Sequence, residues 1–161
     1  TLLETFTEKE IETVFAHELG HYKRGHIVKN ILISLFGTFL GLFVMSQIYI
    51  KLLHLFGFSH PWEIGALPLL AVIAAVYSFF TSPLAAGISR KFEFEADRYA
   101  IDTTRDPLAL ESTMKKLAEQ NLANDEPNRL VEFWTYSHPS IKRRIAEAME
   151  YYNKNYAAGT A

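Results

Sequence analysis

Two histidines one helical turn apart, with a glutamate beside the first, form the sharpest chemical feature of the sequence: His17-Glu18-Leu19-Gly20-His21. Side chains at i and i+4 stand one above the other on a helix, so both imidazoles can bind a single zinc at about 2.0–2.1 Å. Glu18 then lies beside the metal's open position, where it can take a proton from a water that the metal has acidified. The pattern alone also describes two solvated histidines on a polar helix face, so it needs support. A second segment, Glu93-Phe94-Glu95-Ala96-Asp97, supplies it. A tetrahedral catalytic zinc takes three protein ligands and keeps one position for water; Glu93 completes a set of two histidines and a carboxylate. Asp97, one turn later on the same face, is placed to accept the free N–H of a ligating histidine. Glu95 points off that face and is expected in solvent. A third segment, Ser137-His138-Pro139-Ser140, is followed by Arg143 and Arg144. A histidine or arginine donor beside zinc can stabilise the oxyanion of amide hydrolysis. Read singly, His138 is a turn or capping residue, and Arg144 is a surface cation or the partner of Glu147.

These residues must be positioned by helices. Residues 7–26 read as one amphipathic helix, opened by the capping box Thr7…Glu10 and weakened at its end by Gly25. Lys91 to Asp102 continues without glycine or proline, and Asp106-Pro107 opens a further helix to about Leu122. Asn124 to Pro127 breaks the chain, and Pro139 opens a last helix to about Asn153. A short extended piece is expected near Phe133 to Tyr136; otherwise the chain reads as all-α.

The intervening stretch differs in kind. Of 16 basic and 18 acidic residues, only Lys51 and Glu63 lie between Asn30 and Ile88. Asn30 to Ile50 is an uncharged run of 21 residues, enough helix to span roughly 30 Å, the thickness of a bilayer core. A second uncharged run, Ile64 to Ser89, has 26 residues and contains Pro68 and Pro83, which kink or interrupt a helix. Gly37 and Gly41 form a G-x-x-x-G, a close-packing pattern of membrane helices. Two such runs joined by one short polar loop predict a transmembrane hairpin, its runs shielded by lipid at residues 31–50 and 64–88. Lys23, Arg24 and Lys29 precede the hairpin, and Arg90 and Lys91 follow it. The positive-inside tendency puts both flanks on the cytoplasmic side and Lys51 to Glu63 on the opposite one. The organisation is a zinc-binding helix over 1–29, the hairpin over 30–89, and helices with a cytoplasmic C-terminal segment over 90–161. A net charge of −2 argues against nucleic-acid binding, and the absence of cysteine excludes disulfides and a cysteine-ligated zinc. The start at Thr1, without a basic-then-apolar leader, reads as an excerpt from a longer chain.

The blocks HELGHYKRGHIVKN, SRKFEFEADRYA and YSHPSIKRRI, in that order around an apolar hairpin, resemble Ste24-type CAAX prenyl proteases of the M48 peptidase family. The likeness runs from about Thr7 to Tyr151. It implies that His17, His21 and Glu93 hold one zinc per chain and that Glu18 is the general base. By the same likeness Asp97 is the aspartate behind the ligands, His138 binds substrate or the oxyanion, and Arg144 lies near the catalytic carboxylate. The implied fold is an α-helical membrane barrel around a chamber, an integral protein of the endoplasmic reticulum or a bacterial inner membrane with the zinc site on the cytoplasmic side. Full-length members of the family carry more membrane helices than the two found here. The implied activity is zinc-dependent endoproteolysis of a peptide or protein, with a prenylated C-terminus as the expected substrate and the bilayer as the other partner. Heat-shock membrane proteases of the same peptidase family share HExxH and ExxxD and imply quality control of membrane proteins instead. A non-enzymatic membrane scaffold would keep the hairpin but needs none of the three polar motifs.

Overall fold

The computed structural model describes residues 5–121, 124 and 126–157. Among them there is no strand. Helix α1 spans Glu8–Lys23, α2 His26–Leu55, α3 Leu67–Thr104, α4 Pro107–Gln120, α5 Arg129–Thr135 and α6 Ile141–Tyr152. A short 3₁₀ turn, Ile64–Ala66, precedes α3, and a π-helical turn, Asn153–Ala157, follows α6. The chain divides into two compact units, one of residues up to Ile27 and from Ala85 onward, the other Val28–Leu84.

In the first unit, α1 begins with the expected box: Thr7 Oγ1 accepts from the Glu10 amide, and Glu10 Oε2 accepts from the Thr7 amide at 2.7 Å. The helix is shorter than expected. Arg24 closes it by donating to Gly20 O, and Gly25, at φ +65°, turns the chain so that His26 starts α2 instead of ending α1. That left-handed conformation is cheap only for glycine. Asp106 caps α4, with Pro107 at its first position as expected, while Leu122 and Asp125 lie outside the described residues. Of the extended piece expected at Phe133 to Tyr136, only Tyr136 is extended; Phe133 to Thr135 close α5, which Asn128 caps by accepting from the Leu130 amide. Arg90, 46 positions from the farthest partner, donates to the carbonyls of Glu132, Phe133 and Tyr136 at the end of α5. Local propensity carries no trace of such a partner, which is why the β-branched and aromatic residues there misled. The last helix begins at Ile141, two residues after the Pro139 expected to open it, with Ser140 at the N-cap position but making no side-chain capping bond. Ala16, Ala100, Ile101, Leu110, Met114 and Ala148 form the core of this unit.

Glu10 links two helices of the unit. Beyond its capping bonds, it accepts from Lys116 Nζ at 2.7 Å and Ser112 Oγ at 2.6 Å, both on α4. The Lys116 ammonium, then the Ser112 hydroxyl, hold its carboxyl down at about 2, against an ordinary 4.5. A depressed value in the fold means that stability from this group is complete above pH 4.5 and is lost as pH falls toward 2. Lys116 is partly exposed, so solvent screening leaves about 1–2 kcal/mol. Glu10→Gln is therefore expected to lower the thermal midpoint at neutral pH. It should also flatten the acid limb of the stability curve, read by thermal unfolding in detergent from pH 7 to 2. An acid limb as steep as that of the parent would remove Glu10 from this role.

The second unit is the hairpin. Helix α2 has 30 residues and α3 runs for 38, each long and apolar enough to cross a membrane. Only 6% and 11% of their most apolar stretches are buried within the protein. Phe36, Phe39, Phe43, Val72, Phe80 and Leu84 stand in the open, so the runs are not the enclosed core helices of a soluble protein. Pro83 sits inside α3 without ending it. It has no N–H for Phe79 O, and the Ser82 hydroxyl donates to that carbonyl at 3.4 Å. Pro68 lies in the first turn, where a missing donor costs nothing. Of the G-x-x-x-G pair only Gly41 is closely packed, since a Cβ there would stand 2.7 Å from Tyr77 Oη; Gly37 faces open space. At the tip, Glu63 accepts from the amides of Ser59 and His60, and Tyr49 Oη donates to Pro61 O. The loop's one acidic residue thus shapes the turn.

Candidate metal centre

Small residues let the HExxH helix meet the ExxxD helix. At Gly20, a Cβ would lie 3.0 Å from Tyr99 Cβ and 3.1 Å from both Cα and O of Ala96. Two of those atoms are backbone and cannot swing aside, so the residue inside the motif that sequence reasoning passed over is what admits α3. Ala16, Ala96 and Ala100 are buried around it. This approach sets His17 and His21 on α1 against Glu93 and Asp97 on α3.

His17 Nε2 and His21 Nε2 are 3.1 Å apart. Glu93 Oε2 lies 3.6 Å from the first and Oε1 3.5 Å from the second. Donors bound at zinc's usual lengths in a tetrahedron stand about 3.3 Å from one another, so the three fit one such ion. They are the one His/Asp/Glu group among the described residues whose ligand atoms all lie within 4.8 Å of one another. Burial and the neighbouring His17 push the His21 imidazole below its ordinary value, which favours the neutral, ligating form.

Behind the donors, His17 Nδ1 lies 2.9 Å from Asp97 Oδ1. An ionised carboxylate only accepts, so His17 carries its proton on Nδ1 and offers the Nε2 lone pair to the metal position. Arg144 clamps the same aspartate from α6, with Nε to Oδ2 at 2.8 Å and Nη2 to Oδ1 at 2.6 Å. Its third nitrogen lies 3.2 Å from Glu93 Oε2. Glu93 and Asp97 are both buried, and one guanidinium offsets two carboxylates, leaving a net negative pocket suited to a dication. Glu147, the alternative partner of Arg144, pairs instead with Arg98.

Glu18 is exposed on α1, near enough for its charge to bear on His21. His138 is 63% exposed and reaches back to place Nε2 3.5 Å from Glu93 Oε1. Ser137 Oγ lies 2.9 Å from its Nδ1. Thus His17, Glu18, His21, Glu93, Asp97, His138 and Arg144 are gathered from four segments into one locality. Glu95 corrects the sequence expectation: it does not stand free in solvent but meets His26, a residue given no role by its place in the motif. The signal for both was a third histidine five residues after His21, set off by a glycine.

A sequence model of Peptidase family M48 matches residues 1–152. The chain is 32% identical over 152 residues to the uncharacterized metalloprotease YhfN of Bacillus subtilis, covering 92% of this chain and 36% of the relative. It is 37% identical over 143 residues to the human CAAX prenyl protease 1 homolog, covering 85% and 30%. The crystal structure of S. mikatae Ste24p superimposes with a TM-score of 0.73 at 26% identity, over 92% of this chain and 37% of that one. The chain therefore spans about a third of the length of the relatives it matches.

Proposed function

The chain belongs to peptidase family M48, and from that membership we propose that it carries the catalytic centre of a zinc metalloendopeptidase embedded in a membrane. The observation that supports this most is the convergence of His17 Nε2, His21 Nε2 and the Glu93 carboxylate on one tetrahedral position. Bound there, zinc supplies Lewis-acid activation of water and of the scissile carbonyl. The rest falls to side chains. Glu18, exposed beside the ligands, accepts the proton of the attacking water and returns it to the leaving amine. His138, largely exposed yet within reach of Glu93, donates to the oxygen on which charge develops. Asp97 holds the His17 tautomer, and Arg144 pairs with Asp97 and Glu93 and keeps both in place.

For the substrate we propose a prenylated protein C-terminus of the CAAX type, processed at the cytoplasmic face of the endoplasmic reticulum or of a bacterial inner membrane. The resemblance to the CAAX prenyl protease 1 homolog supports it. So does physical chemistry, because a prenyl chain loses about 0.8 kcal/mol for each CH₂ brought into water, a loss that an enzyme embedded in the membrane avoids. The direct comparison uses the intact protein in liposomes, given a farnesylated CAAX peptide and the same peptide without its lipid. Faster cleavage of the farnesylated peptide is expected. Equal rates, or preference for an unfolded membrane protein, would transfer the site to a quality-control role with the same chemistry.

A further inference from the structure

We propose that His26 and Glu95 are positioning residues for the metal: a two-member relay that fixes the tautomer of His21 and aims its Nε2 at the ion. The inference rests on the metal reading above and deepens it. Asp97 serves His17, but among the described residues the polar group at the Nδ1 of His21 is not a carboxylate. What lies there is His26, with Nδ1 3.0 Å from His21 Nδ1. On its far side His26 Nε2 is 3.1 Å from Glu95 Oε2.

Two facing ring nitrogens share one proton, and the carboxylate decides which holds it. The Glu95 oxygen facing His26 is the acceptor of this pair, and the other oxygen lies 3.9 Å from Lys91 Nζ. His26 therefore carries its proton on Nε2 and presents a bare Nδ1. That lone pair accepts from His21, which must carry its proton on Nδ1, leaving Nε2 free for the metal. The opposite tautomer would put a hydrogen where the ion must sit. The two ligating histidines thus reach one state through different devices, a direct aspartate for one and a glutamate acting through a histidine for the other.

The surroundings hold His26 to this task. Its side chain is only 2% exposed and stacks on Phe92, with ring centroids 4.3 Å apart and planes 10° apart. Its ring meets that of His21 edge-on at 79°. Gly25, in the left-handed conformation, brings His26 back toward His21 after α1 has ended, and a side chain at 25 would meet no atom within 4 Å. The glycine is there for the turn and not for space.

Substitutions at His26 separate positioning from packing. His26→Phe keeps the ring stacked on Phe92 but offers His21 no acceptor. His26→Asn gives up the stack but can place a carbonyl oxygen near the site of Nδ1. With zinc affinity of the intact protein measured by chelator competition, His26→Phe is expected to lose about 10–100-fold and His26→Asn clearly less. The order reverses if His26 only packs, and that result, or parent-like affinity in both variants, overturns the relay. A parent protein that binds no zinc would instead defeat the metal reading itself. Should neither variant fold, nitrogen-15 chemical shifts of the metal-free parent decide. His21 protonated on Nδ1 and His26 on Nε2 support the relay; His21 protonated on Nε2 rules it out.

Discussion

Glu18→Gln keeps zinc bound and lowers peptide hydrolysis by about 10²–10⁴-fold, the range that a positioned general base contributes. Glutamine has the length and shape of glutamate, so α1 and its histidines are undisturbed. Its amide cannot take a proton near neutral pH, so the attacking water stays undeprotonated. Glu18 is exposed, whereas Glu93 and Asp97 are buried. That difference makes the variant a clean probe, with zinc content and folding as controls and turnover as the readout. Turnover equal to that of the parent, with zinc retained, would remove Glu18 from the mechanism.

Two carboxylates on one face of α3 have unequal duties, and their variants are expected to differ accordingly. Glu93 faces both Nε2 atoms, so Glu93→Ala deletes a ligand and should strip the metal almost completely. Asp97 faces His17 Nδ1 and Arg144, so Asp97→Asn leaves all three donors present. It should cost about 10–100-fold in zinc affinity or rate, because the ring is less firmly held and its tautomer less firmly set. Metal analysis of the two variants after dialysis against a weak chelator reads the contrast. If Asp97→Asn emptied the site while Glu93→Ala kept its zinc, the face of α3 would be assigned the wrong way round.

What could be read from the sequence was what depends on short spacing. Four-residue steps on one helix place His17 over His21 and Glu93 over Asp97; Asp97 is expected to meet a ligating histidine, and His17 is the one it meets. The capping box at Thr7, the Asp106 cap and the two apolar runs are equally local, and each is where the residues put it. What escaped depends on partners far along the chain or on one backbone angle. Phe133 to Tyr136 look extended until Arg90 is brought to the carbonyls at the end of α5. Glu95 looks solvated until Gly25, at φ +65°, breaks the helix and turns His26 toward it. Gly20 looks like a spacer within HExxH until the backbone of Ala96 arrives at its Cα. In each case the missing information is a tertiary approach that no periodicity encodes.

The central claim is that His17, His21 and Glu93 together hold one catalytic zinc, and metal content tests it most directly. The intact protein, purified in detergent without added chelator and measured by elemental analysis, is predicted to carry one zinc per chain, and His17→Ala to carry none while remaining folded. A parent protein without zinc after exposure to excess metal, or a His17→Ala variant that keeps a full equivalent, would contradict the account.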